Sequence, residues 1–407
     1  MSRANQTGGP CVSSGVVTPE GRLGVLIGAV VLAAALIGGC GDVPLDGAHS
    51  SPSGPPSRAP ADPADPVDPA DPTPSEPDPS ITLKPGPKPP NAAPLTRTFP
   101  ARLPNGKPPL FVVVSFDGAG DLALWAHWRT IARQVNARMT FFLSGPYVYP
   151  GAHRADYRPP SKSPGSSDIG WGDPAKVVLR AAVLRQAIVE GHEIGTHANG
   201  HFCGKDGIDR WSTGQWSDEL KSFDSMVLTG PTLAEGKQLA APFDPASVKG
   251  MRTPCLEGNR PAYRQMMRQR GMLYDASEPG YIAWPKKTDG MWNFPLQSVQ
   301  LAGTRKNTLT MDYNLWYAQT EAHEAPAAHA PVLKAQVLAT YRLALGRSRA
   351  AGNPPLFLGN HFNRWNNSVY SDALTSFVQE TCTQPDVRCV SNIELITWLE
   401  HNGVPRI

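Results

Sequence analysis

Residues 110–116 read LFVVVSF, apolar at every position except Ser115. A strand with one face in water alternates apolar and polar residues, whereas an unbroken run has to be covered on both faces. That condition belongs to a parallel strand with helices packed outside it. The chain beyond keeps to this plan. Residues 122–136 space Leu124, Trp128 and Ile131 as one face of a helix, and 139–143 form a second strand. Residues 174–190 read as a helix with Pro174 in its first turn and Gly191 just past its end. Short strands are expected at 193–196, 248–251 and 272–274, with helices between them. A long helix over 332–349, a strand at 356–359 and a helix over 369–380 follow. The last helix opens on Ser391 and Glu394 as a capping box and stops at Gly403. Residues 156–172, rich in Pro, Gly and Ser, read as an insertion. Strand and helix in alternation imply a parallel sheet, open or closed, and the span 99–407 has the length of an α/β barrel with decorated loops.

The rest of the chain has a different composition. Of the 43 prolines, 17 fall between Pro44 and Pro94. Residues 41–98 repeat Asp-Pro and then run into KPGPKPP, an extended, polyproline-like linker with nothing to bury. At about 3.1 Å per residue such a tether reaches on the order of 170 Å. Ahead of it, residues 23–37 (LGVLIGAVVLAAALI) are uncharged, with Arg22 before them and Gly38-Gly39-Cys40 after. This run is short for a membrane span and suits the core of a signal peptide. Ile37-Gly38-Gly39-Cys40 resembles the bacterial lipobox, in which the cysteine is acylated. The expectation is a leader over 1–40, lipid anchoring at Cys40, and a domain over 99–407 on the outer side of the cell membrane. An uncleaved transmembrane anchor is the alternative, with the same sidedness. The net charge of +3, with no Lys/Arg run, excludes a nucleic-acid partner.

Outside the leader the cysteines are Cys203, Cys255, Cys382 and Cys389, an even number, as expected after export. They allow three pairings. Pro385-Asp386 is a turn signal between Cys382 and Cys389 and favours a local bridge there, which leaves Cys203 for Cys255. A four-cysteine zinc site would need C-x-x-C spacing, which the sequence lacks.

Asp117, His197 with His201, Arg252, Asp275 and His361 each stand just after an expected strand. Barrels place their sites at the carboxyl ends of their strands, so the five segments point to one convergent site. The densest is GHEIGTHANGH, residues 191–201. His197 and His201 lie four apart, and a helical turn would aim both imidazoles at one ion. No Glu follows His197, so the base has to come from elsewhere.

These segments resemble the polysaccharide deacetylase family, the NodB-homology group of carbohydrate esterase family four, and its chitin-deacetylase branch in particular. VVVSFDGAGD is similar to the first family motif, EGHEIGTHANGH to the metal-binding H-x-x-x-H, GMRTPCLEGN to the third, RQRGMLYDASEPG to the fourth and PLFLGNHFNRW to the last. The resemblance implies a distorted (β/α) barrel with one catalytic domain. It implies Asp117 as general base, Arg252 as the residue that holds that base, and His197 and His201 as ligands of a divalent metal, zinc being expected. It also implies the N–H of Cys255 as an oxyanion donor, His361 as the acid that protonates the leaving amine, and Asp275 as the carboxylate orienting His361. Where the family has paired aspartates this chain has Asp117-Gly118, so the third ligand is Asp121 or Asp117 itself. Where the family has an aromatic residue the chain has Cys255, and a bridge to Cys203 would join two site loops. The function implied is hydrolysis of N-acetyl groups on an aminosugar polymer, peptidoglycan or chitin-like, by a monomer tethered to the membrane. The alternatives are a carbohydrate-binding lipoprotein without catalysis, suggested by Gly118, and an acetyl esterase.

Overall fold

The structure is a computed structural model and describes residues 97–405. The leader, Cys40 and nearly all of the linker lie outside the described residues. Among the described residues no helix is long and apolar enough to cross a membrane.

The chain opens with β1 (Leu110–Gly118), α1 (Leu122–Gln134), β2 (Thr140–Leu143), α2 (Pro174–Val189) and β3 (Glu193–Thr196). It continues with α3 (Thr213–Glu235), β4 (Gly250–Met251), α4 (Arg260–Gln269) and β5 (Tyr274–Asp275). A run of short strands follows: β6 (Pro279–Gly280), β7 (Lys286–Thr288), β8 (Met291–Asn293), β9 (Leu296–Gln300) and β10 (Asn307–Leu309). The last part is α5 (Asp312–Thr320), α6 (Ala330–Ala350), β11 (Leu356–His361), α7 (Trp365–Thr381), β12 (Val387–Val390) and α8 (Asn392–Asn402). The main sheet runs β11-β1-β2-β3-β4-β5-β8-β7, parallel except for the β7–β8 pair. It forms the wall of a distorted (β/α) barrel whose pairing stops at β11 and β7. The antiparallel β9–β10 pair, with β6 alongside β9, makes a separate small sheet.

β1 shows why an unbroken apolar run was required. Leu110, Val112, Val114 and Phe116 face outward into the core shared with Trp125 and Trp128 of α1 and Leu374 and Phe377 of α7. Phe111 and Val113 face the other way, with Tyr274, Phe294, Phe357 and, from α8, Leu395 and Trp398. The inward stripe then turns polar, to Ser115 and Asp117. On β11 the same change occurs in register: Val113 pairs with Phe357, Ser115 with Gly359, and Asp117 with His361. The barrel is therefore dry below and polar at the carboxyl ends of its strands.

Several elements went beyond the sequence pattern. β12 is only four residues long, yet it takes the N-terminal half of β1, Leu110 to Val113, while β2 takes the half from Ser115. Strands this short carry no measurable period. At the last helix Ser391 does cap, accepting from Glu394 N at 3.3 Å. The Glu394 carboxylate does not complete the expected capping box. It is buried and accepts from Arg97 Nε at 2.9 Å and from Arg138 at 3.0 Å. Arg97 also donates its backbone N–H to Glu394 and a guanidinium N–H to Cys389 O. The folded part thus takes in Arg97, two residues ahead of the expected start at Phe99.

This anchor gives a stability test. Removing one cation from a buried carboxylate leaves a charge half-compensated, a loss of about 2 kcal/mol. Urea denaturation of Arg97→Ala should show that loss, and Arg102→Ala, exposed nearby, should show none.

Candidate active site

Asp117, His197, Arg252 and His361 stand at or just past the carboxyl ends of β1, β3, β4 and β11, and all four are buried. Arg252 joins them. Its Nη1 donates to Asp117 Oδ1 at 2.8 Å, Nη2 to Ser115 Oγ at 2.9 Å, and Nε to Ala276 O at 3.1 Å. Its guanidinium lies 4.6 Å from the ring centroid of Phe142, on β2. Asp117 is thereby held in one orientation by the guanidinium, with 2% of its surface exposed. The backbone carbonyl of Arg252 accepts from His197 Nδ1 at 2.8 Å, which sets the tautomer of that ring.

His197 and His201 come together, their ring centroids 5.2 Å apart, but not on a helix. The loop between them is irregular, with Ala198 at φ 58° and His201 at φ 56°. The expected helical turn is therefore wrong; the loop is pinned by hydrogen bonds to Leu143, Gly145, Asp168, Glu219 and Tyr157 around it. His197 Nε2 is buried without a hydrogen-bond partner. Burial first, then the charge of His361, push the His197 imidazole down to about 3, against an opposing effect of the Arg252 carbonyl and with a smaller push from the Arg252 charge. A neutral ring with an orphaned, buried nitrogen fits a metal ligand. His201 lies beside the Cys203–Cys255 disulfide, with Cys203 Sγ 3.8 Å from its Nδ1. His201, Cys203 and Cys255 are also the one set of donor atoms, among the described residues, that falls within 4.8 Å of one another. The two sulfurs are bonded to each other, so they are not thiolate ligands.

The carboxylate partner of His361 is Asp312, not Asp275. Asp312 Oδ1 lies 2.7 Å from His361 Nδ1, and Oδ2 accepts the His361 backbone N–H at 2.7 Å. β5, which ends in Asp275, is separated from β11 by β1, β2, β3 and β4. Asp275 instead accepts from Tyr263 OH at 3.2 Å and Ser277 N at 2.9 Å, and Ser277 Oγ accepts from Thr253 N. Asp275 thus braces the loop after Arg252. Asp312 arrives because Met311 bridges to Gly359, where a Cβ would lie 2.5 Å from Met311 Sδ. A side chain at position 359 would therefore push Met311 and Leu296 aside. Trp365, stacked on Trp316, lies 5.2 Å from the His361 ring.

Asp121 is engaged elsewhere. It caps α1 by accepting from Leu124 N at 2.8 Å, and it pairs with Arg364 at 2.7 Å. Neither Asp121 nor Asp117 joins the two histidines in a compact donor set among the described residues. Gly118 has φ 79°, a left-handed conformation that costs other residues strain. Two imidazoles therefore stand together where a divalent metal could be held, and Gly118 has no side chain to add to them. On the facing loop, Cys255 is left-handed at φ 55° and is fixed by its disulfide to Cys203.

Three residues of the site were not picked out from the sequence. Asp312 follows the stretch Thr308–Met311, too short to read as a strand. Glu219 and Tyr157 hold the histidine loop from a helix and from the insertion, and neither position carries a local motif. Glu219 is fully buried and pushed up to about 7, first by burial and against hydrogen bonds from Tyr157 and Asn199. An acid whose folded pKa lies above its ordinary value stabilises the fold below that value. The stabilisation is lost as pH rises through about 7. Glu219→Gln should therefore reduce the loss of unfolding free energy between pH 5 and pH 8 by about 2–3 kcal/mol, measured by denaturant titration at each pH.

No protein-family model matches the chain, and no curated protein sequence matches it. Solved structures do. A candidate polysaccharide deacetylase from Mycobacterium smegmatis is 18% identical at a TM-score of 0.46, the match covering 77% of this chain and 98% of that one. A peptidoglycan deacetylase from Bacillus subtilis is 11% identical at a TM-score of 0.37, covering 72% of this chain and 93% of that one. A CE4-family pseudoenzyme from Bacillus anthracis is 11% identical at a TM-score of 0.38, covering 71% and 66%. At these identities and scores the likenesses carry no argument about chemistry. The chain is similar to a group of polysaccharide deacetylase structures that includes a pseudoenzyme.

Proposed function

We propose that the protein removes N-acetyl groups from an aminosugar polymer of the cell envelope, releasing acetate, while held to the outer membrane face through Cys40. The observation that supports this most is a pair of couples, Asp117 with Arg252 and Asp312 with His361, set on adjacent strands beside the two imidazoles. Amide hydrolysis needs a base for water and an acid for an amine that leaves poorly. Asp117, oriented by Arg252, is the base. Asp312 holds Nδ1 of His361, so Nε2 is the nitrogen that passes a proton to the amine. His197 and His201 would hold the divalent metal, zinc on this reading. Such an ion, when bound, polarises a carbonyl and lowers the pKa of water. The rigid loop at Cys255 offers its N–H to the developing oxyanion.

One observation favours a second reading. Gly118 leaves the metal anchor one carboxylate short of the three protein ligands usual in catalytic zinc sites. A glycan-binding lipoprotein on the same barrel would tolerate that.

The deciding measurement is acetate release by the purified full chain from chitin oligomers and peptidoglycan, with chelator and with added zinc. Release should stop with chelator, and His197→Ala and Asp117→Asn should each lower kcat/KM by about a hundredfold or more. Asp312→Asn should lower kcat by about a hundredfold with KM little changed. Glycan binding without release under any metal would establish the binding lipoprotein instead. Hydrolysis of small acetyl esters alone would establish an esterase.

A further inference from the structure

Much of the backbone of the loop that carries His197 and His201 is paired with neighbouring segments. His197 N donates to Leu143 O at 2.8 Å, Gly145 N donates to Ala198 O at 3.0 Å, and Asp168 N donates to Gly200 O at 2.8 Å. The centre of the loop is held by Glu219 of α3. Its Oε1 accepts from Asn199 N at 2.9 Å, and its backbone carbonyl accepts from Asn199 Nδ2 at 2.7 Å. Its Oε2 accepts from Tyr157 OH at 2.8 Å, and that hydroxyl oxygen accepts from Gly200 N at 3.2 Å. The carboxyl is 1% exposed, and no basic side chain is among these partners. A buried acid without a cation is costly unless its hydrogen bonds are needed. Here all of them go to the loop, directly or through Tyr157.

A helix would keep residues four apart on one face by its own periodicity. This loop is not helical, and its left-handed residues Ala198 and His201 would relax toward commoner conformations if released. We propose that Glu219, acting directly on Asn199 and through Tyr157 on Gly200, is the positioning residue that keeps His197 and His201 aimed at one ion. The inference rests on the metal-binding reading of the two histidines. Glu219 touches neither the ion nor the substrate; it fixes the backbone from which both ligands project.

The test is Zn2+ affinity of the full chain, by competition with a chromophoric chelator, together with the visible spectrum of the Co2+ form. Glu219→Ala should weaken Zn2+ binding by about tenfold or more and broaden the Co2+ spectrum. Glu219→Gln keeps an acceptor for Asn199 N–H and should stay within about threefold of the parent. Leu220→Ala, a core change on the same helix, should lower Tm and leave affinity unchanged. A folded Glu219→Ala chain that binds Zn2+ as tightly as the parent overturns the proposal. Should Glu219→Ala not fold, Tyr157→Phe decides: weaker binding supports the proposal and unchanged binding overturns it. If the parent chain binds no metal, the metal reading fails separately. Hydrogen exchange at the Asn199 and Gly200 amides then tests positioning alone. Faster exchange in Glu219→Ala than in Leu220→Ala upholds it, and equal exchange overturns it.

Discussion

Arg252 is the interaction on which the upper half of this barrel depends. Its guanidinium is buried with a carboxylate, a hydroxyl, a carbonyl and an aromatic face as partners, and its own backbone carbonyl fixes His197. These partners come from β1, from the segment after β5, from β2 and from the loop after β3. A buried cation of this kind contributes little net stability, because desolvation offsets most of the attraction. It does leave few alternatives for how those strand ends can be arranged. If one partner is removed, an uncompensated charge remains inside the protein.

The setting explains why the chemistry gathers at one end. The inward stripes of β1 and β11 are aromatic and aliphatic below, then polar within two residues. The water-poor floor made by Phe111, Phe357 and Trp398 strengthens electrostatic interactions above it. The same burial keeps His197 neutral and leaves its outer nitrogen unsatisfied. Two further constraints act on the loops. The Cys203–Cys255 bridge joins the histidine loop to the loop after Arg252, and Glu219 with Tyr157 holds the first of these from below.

Much of this was legible in the chain. The apolar run of β1 gave the parallel sheet, and Asp117 and His361 could be placed at strand ends because β1 and β11 are long enough to announce themselves. The outer helices followed from 3.6-residue spacing and from caps such as Gly191 and Gly403. What was misjudged came from segments too short to carry a period. The resemblance of RQRGMLYDASEPG to the fourth family motif assigned Asp275 to His361, although four strands stand between β5 and β11. The bridge from Met311 to Gly359 is a single residue long and has no sequence signature at all.

The amino-acid order settles the local identities: which strands are buried on both faces, where helices begin and end, and which side chains able to accept or donate protons sit at strand ends. These follow from periodicity and composition within about a dozen residues. Partnership across the barrel is another matter. That Asp312 serves His361 and that Asp121 is taken by Arg364 both depend on sheet order and on close approaches between distant segments. No window of a dozen residues contains both members of either pair.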